Sequence, residues 1–228
     1  MTLDFAIRLT EIMLGLAYIQ QSLEHLAARA GEPILFVPRI VLCALLVLGV
    51  APGWICLVLL INGALLLRRV GGPYNGGADR MGLLILICLT FAHLTPAWRE
   101  VAFGYLGAQV VLSYFISGWV KVGARDWRCG CALADVFAFS AYPVSENLRR
   151  LADRPALLTT ASWAVMGFEL AFPLSLLTGP SLLAALALGA AFHLANAFMF
   201  GLNRFFWIWL TAYPSLVWLQ ARMMSPIS

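Results

Sequence analysis

The chain has 228 residues, 62% of them hydrophobic and only 11% charged, with a formal net charge of +4 and a mean hydropathy of +0.87. Soluble domains carry about 25% charged residues, so this composition cannot cover a water-facing surface. It excludes a soluble enzyme, a disordered tail and a nucleic-acid-binding module, and leaves an all-α polytopic membrane protein of one domain, residues 1–228.

A membrane-spanning helix needs about 20 mainly apolar residues. That rule predicts spans near 5–25, 35–51, 54–70, 81–96, 101–122, 157–178, 181–201 and 204–222. Turn chemistry separates them at Gly31 to Pro33, Pro52-Gly53, Gly71-Gly72-Pro73, Pro96 and Gly179-Pro180. The second and third spans, and the sixth and seventh, are joined so tightly that each pair is expected to be an antiparallel hairpin. The last two segments read equally as one helix bent at Gly201, so seven or eight spans are expected. The N-terminus lacks a basic leader and places Asp4 and Glu11 early, which predicts a first membrane helix rather than a cleaved signal peptide.

The stretch from about 123 to 155 fits no span. Arg125, Asp126, Arg128, Asp135, Glu146, Arg149, Arg150, Asp153 and Arg154 alternate there with apolar residues. The pattern predicts a partly helical segment lying along the interface and anchored by Trp127. With eight spans, alternate connections hold twelve Lys and Arg against three on the other side. The positive-inside rule then puts this segment in the cytoplasm and the N-terminus outside, and one miscounted span would invert that orientation. A bacterial cytoplasmic membrane is the expected location, with the lipid bilayer as the main partner.

Ionisable groups inside spans are costly and by default mark a pathway or a site. In the fifth span Gln109, Ser113, Ser117, Lys121 and Arg125 recur every four residues and form one polar stripe. Tyr114 joins that face, and Gly118 admits a neighbouring helix. A lysine desolvated beside another cation can be neutral near pH 7 and can then take a proton as a general base. The plain alternative is that Lys121 and Arg125 mark the helix end and snorkel to the interface.

The sixth span holds Glu169 four residues before Pro173, whose missing N–H predicts a kink and a freed Glu169 carbonyl. A cation or proton site, a partner for Lys121 or Arg125, and a structural ion pair are all open readings. His193, Asn196 and Asn203 share a face of the seventh span, either at a site or as interhelical hydrogen bonds. Glu11, Tyr18, Gln21 and His25 share a face of the first, which also reads as an amphipathic first helix. Asp79, in GGPYNGGADRMGLL, either closes a cavity wall or complements the dipole of the following helix.

Cys43, Cys56 and Cys88 lie in apolar runs and read as buried small side chains. Cys129 and Cys131 flank one glycine. No second Cys or His pair completes a four-ligand set, so no metal site is expected, and a dithiol redox role stays open.

YFISGWVKVGARDWRCGCAL resembles the signature of the HTTM domain, the membrane region shared with vitamin K-dependent gamma-carboxylases. The matching residues are Gly118, Lys121, Trp127, Gly130 and Ala132, and the likeness continues in YNGGADRMGLL, in the Phe-Glu-Leu and Phe-Pro-Leu of the sixth span, and in FHLANAFMFGLNRFFWIWLTAYP. The resemblance implies a quinone-like or lipid-like ligand and a lysine base that deprotonates a hydroquinone, a role that falls on Lys121. Three departures stand against full gamma-carboxylation. The carboxylases have a histidine where this chain has Gly77; they carry a large extramembrane domain for which 228 residues leave no room; and their site faces the lumen.

Three functions are therefore expected to compete. One is a membrane enzyme with Lys121 as base, in which Glu169, His193 and Asn196 line the same cavity, with Tyr114, Ser117, Asn203, Asp79 and Arg125 as further ligand-cavity candidates. Another is a redox accessory protein of the small DoxX and MauE type that uses Cys129 and Cys131 with a quinone or a redox partner protein. The third is a non-catalytic maturation, transport or immunity-type membrane partner whose polar residues only join helices.

Overall fold

The computed structural model describes residues 1–28, 33–69, 76–139 and 146–224, and among them all regular structure is helical. The elements are α1 (Leu3–Ala27), α2 (Pro33–Leu48), α3 (Pro52–Arg69), α4 (Gly76–Leu94), α5 (Arg99–Gly123), α6 (Arg125–Arg128), α7 (Cys131–Phe139), α8 (Glu146–Arg149), α9 (Pro155–Ala171), α10 (Gly179–Phe200) and α11 (Asn203–Met224). Each predicted span overlaps one of these helices, the sixth running on from α9 into a 3-10 turn. The predicted turn at Gly71-Gly72-Pro73, the start of the turn at Gly31 and the middle of the interfacial segment lie outside the described residues.

The helix ends follow the local chemistry. Thr2 accepts from the Phe5 amide at the start of α1. Thr178 and Ser181 form a reciprocal capping box at the start of α10, with Pro180 in its first turn. Gly201, at φ 67°, closes α10 in the left-handed conformation, so α10 and α11 are two helices and not one bent helix. At Pro173, where a kink is expected, the helix changes type. Deprived of an N–H there, α9 ends at Ala171 and the chain tightens into a 3-10 turn over Phe172–Leu177.

Among the described residues five helical stretches are long and apolar enough to cross a membrane: Pro52–Arg69, Gly76–Leu94, Pro96–Gly123, Pro155–Leu177 and Gly179–Phe200. α2 is apolar but has only 16 residues. α1 is long enough but carries Asp4, Arg8, Glu11 and Glu24.

The chain forms two compact units, one of Met1–Ala108 with Arg204–Ser228 and one of Gln109–Asn203. In the first unit the polar face of α1 is turned inward. Glu11, 1% exposed, accepts from Arg8 Nη1 at 2.8 Å and pairs with His93 Nε2 of α4. Arg8 also donates to the Leu46 and Val47 carbonyls at the end of α2. The Arg39 guanidinium lies 3.7 Å from the Tyr18 ring centroid. Gln21 Nε2 donates to Asp79 Oδ1 at 3.4 Å, and His25 meets Arg204 of α11. Glu11, Tyr18, Gln21 and His25 thus each meet a partner on another helix, while buried Thr10 and Ser22 donate to the Ala6 and Tyr18 carbonyls of α1 itself, as burial away from water requires.

Candidate functional site

The second unit assembles its polar residues between the later half of α5, α9 and α10. The assembly depends on a close helix approach. A Cβ on Gly118 would meet the Leu170 amide nitrogen at 2.9 Å and Glu169 Cβ at 3.0 Å, so only glycine lets the two backbones come this near. One turn further along α5, Lys121 Nζ then reaches Glu169 and donates to Oε1 at 2.5 Å and Oε2 at 2.6 Å. Ser117 joins the pair: its Oγ accepts from Lys121 Nζ at 2.6 Å and donates to Glu169 Oε1 at 3.1 Å. The Glu169 side chain is 4% exposed and that of Lys121 16%. A carboxylate so buried is tolerated because all its near neighbours donate to it.

An aromatic wall borders this triad. The Trp127 ring centroid lies 5.0 Å from Lys121 Nζ. Tyr114, two turns before Lys121 on the same face of α5, stacks on Phe172 at 4.0 Å between centroids and meets Phe168 edge-on at 5.7 Å. The Tyr114 hydroxyl lies 2.9 Å from His193 Nε2 of α10, and both residues are buried. Lys121, Ser117 and Glu169 form one hydrogen-bonded group, Tyr114 and His193 a second, and Phe168 and Phe172 fill the space beside Tyr114.

Other expected site residues fall elsewhere. Arg125 opens α6 and is exposed, so the charge in contact with Lys121 is the Glu169 carboxylate and not a second cation. Asn196 is half-buried one turn beyond His193, and Asn203 opens α11. Asp79 sits in the first turn of α4, within the first unit, where Gln21 holds it. Cys129 and Cys131 are joined as a disulfide at the turn between α6 and α7, and both are exposed.

That turn is fastened to α9 through its backbone. Ser162 Oγ donates to the Trp127 carbonyl, Trp163 Nε1 to that of Arg128 at 3.2 Å and Thr159 Oγ1 to that of Cys129 at 2.9 Å. Gly130 completes the fit. It has φ 76°, and a Cβ there would lie 2.6 Å from the Thr159 amide nitrogen. The fastening also holds Trp127 beside Lys121.

Sequence reasoning missed Phe168 and Phe172 as the neighbours of Tyr114, and His93 and Arg8 as the partners of Glu11. The Phe168-Glu169 and Phe172-Pro173 spacing carried a signal for the first pair, since residues four apart share a helix face. His93 carried none, because its partner lies 82 positions away. Among the described residues no group of three or more His, Cys, Asp or Glu could hold a metal ion.

A family model described as HTTM domain matches residues 90–219, more than half of the chain. No match is found among the curated proteins or the solved structures.

Proposed function

The chain belongs to the HTTM domain family and is an integral membrane protein; from that premise we propose that its Lys121–Glu169 pair is a proton-transfer centre acting on a quinone-like or lipid-like ligand. The observation that carries this reading is the identity of the cation. Lys121 is the only lysine in the sequence, beside fourteen arginines. An ion pair or a helix-end anchor is served as well or better by arginine, which binds a carboxylate in two-pronged fashion and keeps its proton. Lysine differs in that it can give its proton up. The one position that uses it is buried against a carboxylate.

The chemistry follows from the contacts. Glu169, hydrogen-bonded to the ammonium through both oxygens, is placed to take one of its protons when a ligand arrives. The neutral amine of Lys121 then accepts a proton from an acidic O–H of the ligand, leaving an oxyanion beside the regenerated ammonium. Ser117 orients both partners through its hydroxyl. Trp127, Tyr114, Phe168 and Phe172 supply flat apolar surface suited to a ring or an acyl chain. The Tyr114–His193 pair, about 10 Å along α5 from Lys121, offers a second place to hold or pass a proton.

In this reading the eight long helices are the expected seven or eight spans of one membrane domain covering residues 1–228. Residues 123–139 and 146–155 lie along the interface on the cytoplasmic side of a bacterial cytoplasmic membrane. Gamma-carboxylation is not proposed. At Gly77, where the carboxylases carry a histidine, a Cβ would lie 2.7 Å from Cζ of Phe205, so a ring of this chain already fills the space of the missing side chain.

Mass spectrometry of the purified protein for a retained quinone or lipid tests the proposal, together with Lys121→Arg. The wild type is expected to hold a discrete ligand, and the arginine variant to stay folded while losing proton transfer to it. A preparation carrying only bulk lipid, or an arginine variant that works normally in cells, leaves the polar residues as structural joints and overturns the reading.

A further inference from the structure

The CGC turn takes no part in the chemistry above, yet it holds the chain's two exposed cysteines, whereas Cys43, Cys56 and Cys88 are buried. We propose that Cys129 and Cys131 form a redox-active dithiol–disulfide centre that exchanges two electrons with an external dithiol, independently of any role of Lys121.

Three observations support it. First, the bond closes a very short loop, with a sequence separation of 2. A cross-link restricts the unfolded chain less the shorter the loop it closes, so this one contributes little to holding the fold. Second, the turn is held without the sulfurs. Thr159, Ser162 and Trp163 grip the carbonyls of residues 129, 127 and 128, and Gly130 nests against the Leu158–Thr159 backbone. Opening the bond leaves those contacts in place, so the two thiols stay facing one another and can close again. Third, both cysteines are accessible, as attack by an external thiolate requires.

The exchange balances in two steps. A thiolate of the incoming dithiol attacks one sulfur, the Cys129–Cys131 bond breaks, and a mixed disulfide forms with release of the other cysteine as a thiolate. The second thiol of the dithiol then attacks the mixed disulfide. It leaves as a cyclic or intramolecular disulfide, and Cys129 and Cys131 become two thiols. The dithiol loses two electrons and two protons, and the protein gains both. The reverse reaction with a disulfide restores the bond.

The test equilibrates the intact protein in detergent with mixtures of reduced and oxidised dithiothreitol, quenches with acid, denatures, and counts thiols with a maleimide-polyethylene glycol gel shift. The expected result is one reversible transition from three labels to five, with no four-label species at equilibrium. Cys129→Ser and Cys131→Ser are each expected to give four labels at every ratio. Five labels in fully oxidised dithiothreitol, three in fully reduced, or a stable four-label population overturns the proposal. Melting temperature separates a redox centre from a structural bond: reduction is expected to shift it by less than about 2 °C, and a loss of more than 10 °C makes the disulfide structural and overturns the proposal as well.

Discussion

Gly118 of α5 faces the peptide joining Glu169 and Leu170 so closely that a methyl group at its Cα would lie 2.9 Å from the Leu170 nitrogen. The Lys121–Glu169 contact depends on this approach, because an extra carbon pushes back on backbone and not on the end of a flexible side chain. Gly118→Ala is therefore expected to destabilise the protein by about 1–3 kcal/mol. It should also raise the acylation rate of the single lysine by an amine-reactive ester, since Nζ would lose its carboxylate. Thermal unfolding in detergent and mass spectrometry of the labelled peptide check both effects; a neutral substitution contradicts the packing.

Removing one member of a buried ion pair strands the other, whereas replacing both with apolar groups removes the desolvation cost altogether. Glu169→Gln and Glu169→Ala are each expected to lower stability by about 3–5 kcal/mol. The double variant Lys121→Met with Glu169→Leu should recover most of that loss while abolishing any proton transfer. If the double variant unfolds as readily as the singles, the pair is a structural requirement and its use in chemistry loses support.

Gly130 combines a left-handed backbone with contact against the α9 main chain. Alanine there meets a strained conformation, about 1–3 kcal/mol, and a clash with a peptide nitrogen. Gly130→Ala should detach the α6–α7 turn from α9, exposing Trp127 and the Lys121 amine together. Limited proteolysis within residues 123–139 checks this, and equal resistance in variant and wild type would count against the fastening described.

In the first unit Glu11 bridges Arg8 and His93. Glu11→Ala takes the acceptor from His93 and leaves Arg8 only the Leu46 and Val47 carbonyls, and is expected to cost about 2–3 kcal/mol. His93→Ala leaves the Arg8 contact in place and should cost only about 1 kcal/mol. The order of the two melting temperatures is the measurement, and a reversed order would falsify the bridge.

The helices were legible because a span announces itself in one dimension: an apolar run, a proline or glycine at each end, and a cap such as Thr178 with Ser181. Lys121 was legible for the same reason, since a four-residue stripe from Gln109 to Arg125 is a one-helix pattern. Its partner was not. Whether Lys121 meets Arg125 or Glu169 depends on which face of α9 packs on α5, and Gly118 decides that through an approach invisible to periodicity. Likewise, the face Glu11, Tyr18, Gln21 and His25 read equally as a surface helix, because its partners Arg39, Asp79, His93 and Arg204 are far away in sequence. Pro173 marked the position of the break, since a missing N–H predicts the loss of an α-helical bond, but it did not announce the 3-10 geometry of Phe172–Leu177.

The fastening of the α6–α7 turn has one further consequence. All three donors, Thr159, Ser162 and Trp163, are side chains on α9, and all three acceptors are main-chain carbonyls of residues 127–129. A carbonyl is the same whatever side chain accompanies it, so the side-chain information in these three bonds is written on α9, and the turn adds only the glycine at 130. Saturation mutagenesis scored by folding should therefore be lopsided: permissive at Cys129, strict at Thr159, Ser162 and Trp163, and strict within the turn only at Gly130 and at Arg128, whose guanidinium donates to the Val122 and Gly123 carbonyls. Apart from Arg128 and Gly130, the turn is free to exchange its own side chains for new chemistry without losing its place.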